Sequence, residues 1–146
     1  MRAVIDIGSN SIKCVVAQGV GTDFQVIREL SRTTRLGEEL VVTGMIGPEA
    51  AERSLAYLRE LSDICRDYGM KSVVCVGAET LRRASDAEQF ARRLNCLTGW
   101  ELRVLTPEGE ARLSFEAASA LAPTDGDFVV IDSGGGSTEF SFGSKQ

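Results

Sequence analysis

The sequence predicts an α/β domain on a mixed sheet, a three-stranded antiparallel meander followed by helix-strand units. Three observations carry that prediction. Residues 2–36 hold strand-like apolar runs and alternation with no helical period. Short apolar runs at 71–77 and 100–105 are separated by segments of helical spacing. The third is a repeat: AVIDIGSNSIKCVVA at 3–17 returns as VVIDSGGGSTEFSFG at 129–143. Ile5, Asp6, Gly8 and Ser11 recur as Ile131, Asp132, Gly134 and Ser137, an offset of 126 residues.

Each element has a local reason. RAVIDIG reads as a buried strand, and SIKCVVAQG returns after the Ser9-Asn10 turn. FQVIRELSRTTRL alternates as a third strand of the meander, and LGEELVVTGMIG reads as a glycine-punctuated loop. Pro48 suits the first turn of a helix. Ala51, Leu55, Leu58, Leu61, Ile64 and Cys65 recur at helical spacing, and Gly69 closes the helix as a left-handed cap. KSVVCVG is a continuous apolar run, expected to be a strand buried on both faces. Ser85 and Glu88 have capping-box spacing, ahead of a stripe of Phe90, Leu94 and Leu97 that Gly99 ends. WELRVL is a short strand, with Trp100 as core or rim packing. Thr106 caps the next helix with Pro107 as its first residue, and Phe115, Ala118 and Leu121 are expected to line its inner face. A linker at 122–126 leads to a final hairpin, DFVVIDS and STEFSFG. The expected division is a first domain at 1–123, then a linker and the opening hairpin of a second, related domain at 124–146.

Composition excludes several classes. The net charge is −5, without the basic footprint of a duplex nucleic-acid binder. The chain has no histidine, which removes His-dependent triads, His-ligated zinc and histidine general bases. Cys14, Cys65, Cys75 and Cys96 form no C-x-x-C pair and sit among apolar neighbours, so buried reduced thiols are expected. No apolar stretch approaches a membrane span, and a strand begins at once where a signal peptide would stand. A cytoplasmic location with no membrane partner is the resulting expectation.

The two turns carry the chemistry. A glycine-rich turn exposes successive backbone N–H groups that can wrap a phosphate oxygen. Glycine is expected there to let the phosphate approach and to adopt positive φ. Ser9, Ser11, Ser133, Ser137 and Thr138 add hydroxyls. Asp6 and Asp132 precede the turns, where a carboxylate beside phosphate calls for an intervening cation such as Mg²⁺. For a single DxG, local Asp and Asn turn chemistry would suffice; two copies of IDxGxxS between apolar strands favour a phosphate site.

IDIGSNSIK and VIDSGGGSTE resemble the two phosphate motifs of the sugar kinase, heat-shock ATPase and actin superfamily. Within it, the chain resembles the exopolyphosphatase and guanosine pentaphosphate phosphohydrolase (Ppx/GppA) family. The resemblance rests on IDIGSNS at 5–11, ETLRRA at 79–84, TPEGEARLSF at 106–115 and VIDSGGGSTE at 130–139, and spans nearly the whole chain. GSNS together with EAR is the branch-specific part. Ser133 departs from the family, which usually has an aliphatic residue there. The resemblance implies an actin-like ATPase (ribonuclease H-like) domain. It also implies that the family's second actin-like domain is represented only by its first hairpin.

It further implies roles. Glu110 would be the catalytic carboxylate that orients and deprotonates water, although on sequence alone Glu108 and Glu110 only complement a helix N-terminus. Gly8, Ser9, Asn10, Ser11, Gly134, Gly135, Gly136, Ser137 and Thr138 would hold phosphate. Arg82, at the C-terminal end of a strand, would contact phosphate with Thr80 nearby. Asp132 and Glu139 would bind the metal, Mg²⁺ or another divalent cation, with Asp6 as a further candidate. Arg32 and Arg35 could add charge near the cleft; Arg92 and Arg93 are expected to be solvated. Lys13 could face either the phosphate or bulk water. The implied partner is inorganic polyphosphate or guanosine pentaphosphate, and a homodimer of the full-length protein stays open. The alternatives are a non-catalytic sensor of (p)ppGpp or polyphosphate, and an ATP-dependent kinase or ATPase. These 146 residues alone are expected to show little activity.

Overall fold

The computed structural model describes residues 1–20, 23–122 and 125–145. β1 (Arg2–Ile7), β2 (Ser11–Val20) and β3 (Asp23–Thr33) form the antiparallel meander. The chain then runs through α1 (Leu40–Thr43), α2 (Pro48–Asp67), β4 (Ser72–Gly77), α3 (Glu79–Arg83), α4 (Ala87–Thr98), β5 (Leu102–Val104) and α5 (Pro107–Leu121). β4 pairs parallel to β1 and β5 to β4, so the strand order is β3-β2-β1-β4-β5.

Alternation in the first hairpin builds the core. Ala3, Ile5 and Ile7 of β1 and Ile12, Cys14 and Val16 of β2 are each at most 1% exposed. They meet Leu55, Leu58, Leu61 and Cys65 of α2 and Phe90 and Leu94 of α4 in one cluster. Burying a side chain of this size stabilises by about 1.5–3 kcal/mol. Pro48 stands in the first turn of α2 as expected. Gly69 has φ 60°, and the Met70 N–H reaches back to the Cys65 carbonyl at 3.1 Å, a Schellman closure. Thr106 caps α5, its Oγ1 accepting from the Gly109 N–H at 3.1 Å.

Several expectations are corrected. The segment read as a loop after β3 contains α1, ended by Gly44 at φ 71°. β4 is buried on one face only: Val74 lies beside Val4 on the open face, and both are exposed. Ser85 and Glu88 form no capping box. The N-cap residue is Asp86, whose Oδ1 accepts from the Ile46 N–H at 2.9 Å; Ser85 bonds the Gly44 carbonyl and Glu88 pairs with Arg92. Asp86 is thus spent on a loop 40 residues away, which no local spacing announces. Leu121 is 86% exposed, and no α5 residue is fully buried. Cys96 is exposed while the other three thiols are buried. Arg93 is exposed, as expected, and pairs with Glu52 of α2 at 2.6 Å.

The last two strands, β6 (Gly126–Ser133) and β7 (Thr138–Lys145), form a separate two-stranded sheet. Residues 123 and 124 of the expected linker lie outside the described residues. The hairpin rests on α5: Phe115 and Phe128 stack with ring centroids 4.9 Å apart and planes within 3°. Gly143 lies over the same ring, where a Cβ would stand 2.9 Å from Phe115 Cζ. The sequence repeat is also a repeat of register. Val129 faces Phe142 and Ile131 faces Phe140, as Ala3 faces Val16 and Ile5 faces Cys14. In the first hairpin α2 covers those positions, and in the second they are exposed. No helix among the described residues is long and apolar enough to cross a membrane.

Candidate active site

The two glycine turns close alike. The Gly8 N–H donates to the Ser11 carbonyl at 3.1 Å, and the Gly134 N–H to the Ser137 carbonyl at 2.9 Å. Those two amides are spent on the turn itself. The carbonyls of the first turn are engaged as well: Asn10 O accepts from the Thr34 and Arg35 amides, and Ser9 O from the Gly37 amide. The amides of Ser9, Asn10, Gly135 and Gly136 make no hydrogen bond among the described residues. They are the donors left for an anion.

Of the two reasons expected for glycine in the second turn, positive φ does not apply. None of Gly8, Gly134, Gly135 and Gly136 has positive φ. Instead the second turn lies against the first. A Cβ on Gly135 would stand 3.1 Å from Asn10 Cβ, and one on Gly136 would stand 1.9 Å from Glu79 Oε2.

Between the turns lies a cleft of about 600 Å³ lined by Asp6, Gly8, Ser9, Asn10, Ser11, Lys13, Ala78, Glu79, Glu110, Asp132 and residues 133–137. Lys13 thus faces the cleft, directly across the strand pair from Asp6. A groove of about 460 Å³ between α2 and α4, lined by Leu55, Arg59, Arg93 and Cys96, touches neither turn.

Two carboxylates of the cleft are held from behind. Glu110 Oε2 accepts from Arg82 Nη1 at 2.9 Å, and the same nitrogen donates to the Leu105 carbonyl at 2.8 Å. Asp132 Oδ2 accepts a hydrogen bond from the Ser114 hydroxyl. Asp6 opens into the cleft, yet partial burial pushes its carboxyl above the ordinary range; Lys13 opposes that rise and Asp132 adds to it. Beneath it, burial and the Asp6 charge push the Cys75 thiol up to about 12. Glu79 Oε1 accepts from Arg83 Nη1 at 2.6 Å, while its Oε2 is buried with no partner among the described residues.

Four residues of the expected site do not line the cleft. Thr80 is buried and donates to Ser9 Oγ at 2.8 Å, so it stands behind the first turn. Arg82 stands behind Glu110. The Thr138 hydroxyl lies 3.2 Å from that of Ser133, and Glu139 sits opposite Asp132 in the hairpin register. Arg32 does not line the cleft either; its side chain pairs with Glu60 at 2.7 Å and covers the Tyr57 ring. Sequence reasoning missed Glu79 and Ser114. Ser114 had one available signal, its place one helical turn beyond Glu110.

The donor set suits a hard cation. Asp6, Glu79, Glu110 and Asp132 line the cleft with Lys13 as the one lining cation among the described residues. The described residues contain no preassembled group of three metal-ligating side chains.

A family model described as the Ppx/GppA phosphatase family matches residues 4–146. The chain is 31% identical over 141 residues to a guanosine-5′-triphosphate,3′-diphosphate pyrophosphatase of Pseudoalteromonas translucida, a match covering 97% of this chain and 28% of that protein. Among solved structures, the Aquifex aeolicus PPX-GPPA enzyme superposes with a TM-score of 0.87 at 35% identity, over 98% of this chain and 48% of that one. An exopolyphosphatase from Cytophaga hutchinsonii superposes with a TM-score of 0.92 at 25% identity, over 97% of this chain and 46% of its own. These structures share the actin-like α/β fold expected from the sequence. The chain spans less than half the length of each of these relatives.

Proposed function

The chain belongs to the Ppx/GppA phosphatase family, and from that premise we propose that it supplies the phosphate-holding and water-activating part of a phosphoanhydride hydrolase. The substrate is a terminal phosphoanhydride, that of inorganic polyphosphate or the 5′-γ-phosphate of guanosine pentaphosphate. One observation carries the reading: both glycine turns and Glu110 line the same cleft.

The geometry supports the following division of labour. The amides of Ser9, Asn10, Gly135 and Gly136, with the hydroxyls of Ser9, Ser11 and Ser137, grip the phosphate oxygens. Thr80 fixes the Ser9 hydroxyl. Arg82 holds Glu110 by Oε2, which leaves Oε1 to accept a proton from the attacking water. Phosphoryl transfer asks mainly for positioning and charge neutralisation, and this is what the two turns offer. A divalent cation, Mg²⁺ first, held by Asp132 with Asp6 or Glu139, would neutralise charge on the phosphates. Because the relatives are about two to three and a half times this length, turnover by these residues alone is expected to be small; an open cleft loses the electrostatic advantage of a closed one.

The test is phosphate release from long-chain polyphosphate and from guanosine pentaphosphate with Mg²⁺. It compares a protein of the relatives' length carrying these residues with its Glu110→Gln variant. A loss of about 10²–10⁴-fold with substrate binding retained is expected for a general base. Unchanged turnover would overturn the assignment. The Arg82–Glu110 pair also favours a second reading, a non-catalytic polyphosphate or (p)ppGpp sensor in which Glu110 serves only as a structural anchor. Binding without turnover in the unaltered protein would select it.

A further inference from the structure

We propose that Ser114 is a positioning residue that sets the orientation of Asp132 for its cation and ties that carboxylate to Glu110 through α5. The inference rests on the hydrolase reading only in taking Asp132 as a cation ligand.

Glu110 and Ser114 are four residues apart on α5, so they share one helix face. Glu110 enters the cleft from that face. Ser114 lies one turn deeper, outside the cleft lining, and its hydroxyl donates to Asp132 Oδ2 from behind. A hydroxyl bonded to a carboxylate makes a charge-assisted contact, stronger than a neutral one. It engages one oxygen and leaves Oδ1 for the cleft. The Arg82 guanidinium treats Glu110 in the same way, engaging Oε2 and leaving Oε1. Of the cleft carboxylates, Glu110 and Asp132 are therefore each fixed by one rear partner, and α5 contributes to both pairs.

The helix is itself locked on the hairpin that carries Asp132. Phe115, the neighbour of Ser114, stacks on Phe128 of β6, and Gly143 of β7 lies over the same ring. Residues that orient a metal ligand from behind are typically worth about 10–100-fold in metal affinity.

The test uses Mn²⁺ as the probe, titrated against this chain and followed by electron paramagnetic resonance of the free ion. Asp132→Asn should abolish the site. Ser114→Ala should weaken Mn²⁺ binding by about tenfold, and Ser114→Thr, which keeps the hydroxyl, should restore it. Circular dichroism of each variant separates this from unfolding. Mn²⁺ affinity that is equal in the unaltered chain and Ser114→Ala overturns the proposal, as does an unaltered chain that binds no Mn²⁺. The hydrolase reading is judged separately by phosphate release. Turnover by the protein of the relatives' length with a Ser114-independent cation site would overturn this inference alone; a Ser114-dependent site with no turnover by that longer protein would overturn the hydrolase alone.

Discussion

An alanine at position 136 would place its methyl group 1.9 Å from Glu79 Oε2, and 2.9 Å from both Glu79 Cδ and Ser9 Oγ. Glu79 is not free to swing aside, because Arg83 holds Oε1 at 2.6 Å and Oε2 is already buried. The two turns must separate or the ion pair must break. Forcing a methyl into a filled site typically costs about 1–3 kcal/mol. Gly135→Ala meets Asn10 Cβ at 3.1 Å and should cost less. Gly134→Ala meets Ser137 O at an ordinary 3.6 Å and should lie within about 0.5 kcal/mol of the unaltered chain. Thermal unfolding followed by circular dichroism reads the series, at about 2–4 °C per kcal/mol for a chain near this size. Adding Glu79→Ala to Gly136→Ala removes the obstructing carboxylate and should recover most of the loss. That corresponds to a coupling of about 0.5–3 kcal/mol. Equal Tm shifts for Gly134→Ala and Gly136→Ala, or no recovery in the double variant, would refute the close-approach argument.

Three further outcomes are expected. Phe115→Ala removes the stack on Phe128, worth about 0.5–1.5 kcal/mol beyond its buried area. Amide exchange should then accelerate across 126–145 while β1 stays protected; unchanged exchange in the hairpin would contradict the docking. Alkylation of the native chain should modify Cys96 alone, and all four thiols only after denaturation, read by mass spectrometry. Early modification of Cys75, whose thiol is pushed up to about 12, would contradict its burial. For Asp6, a carboxyl raised above 3.8 means that the native state binds its proton more tightly than the unfolded chain does. Its contribution is complete below pH 3.8 and is lost as pH rises through the folded value. Asp6→Asn should therefore raise Tm at pH 7, with the gain fading on acidification; a Tm change that ignores pH would refute this.

Much of this molecule is written in short spacings. Alternation in 3–7 and 12–16 marks the core face of β1 and β2, because successive strand residues point to opposite sides. Pro48, Gly69, Thr106 and Pro107 mark helix ends, since unsatisfied backbone groups there need local partners. The 126-residue repeat reveals two equivalent turns, and the structure shows them in equivalent register. What the spacings could not contain was decided by packing. Val74 and Leu121 have the residue type of a core, but no described element covers them. Asp86 could have closed its own helix and instead reaches Ile46. The glycines of the second turn are required by Asn10 and Glu79, residues distant in sequence, and not by their own φ. Arg82 meets Glu110 across 28 residues, and Ser114 meets Asp132 across 18. Periodicity and capping act within one or two turns of chain. Which oxygen of a cleft carboxylate is held, and by which side chain, is set only once the sheet, α5 and the last hairpin have come together.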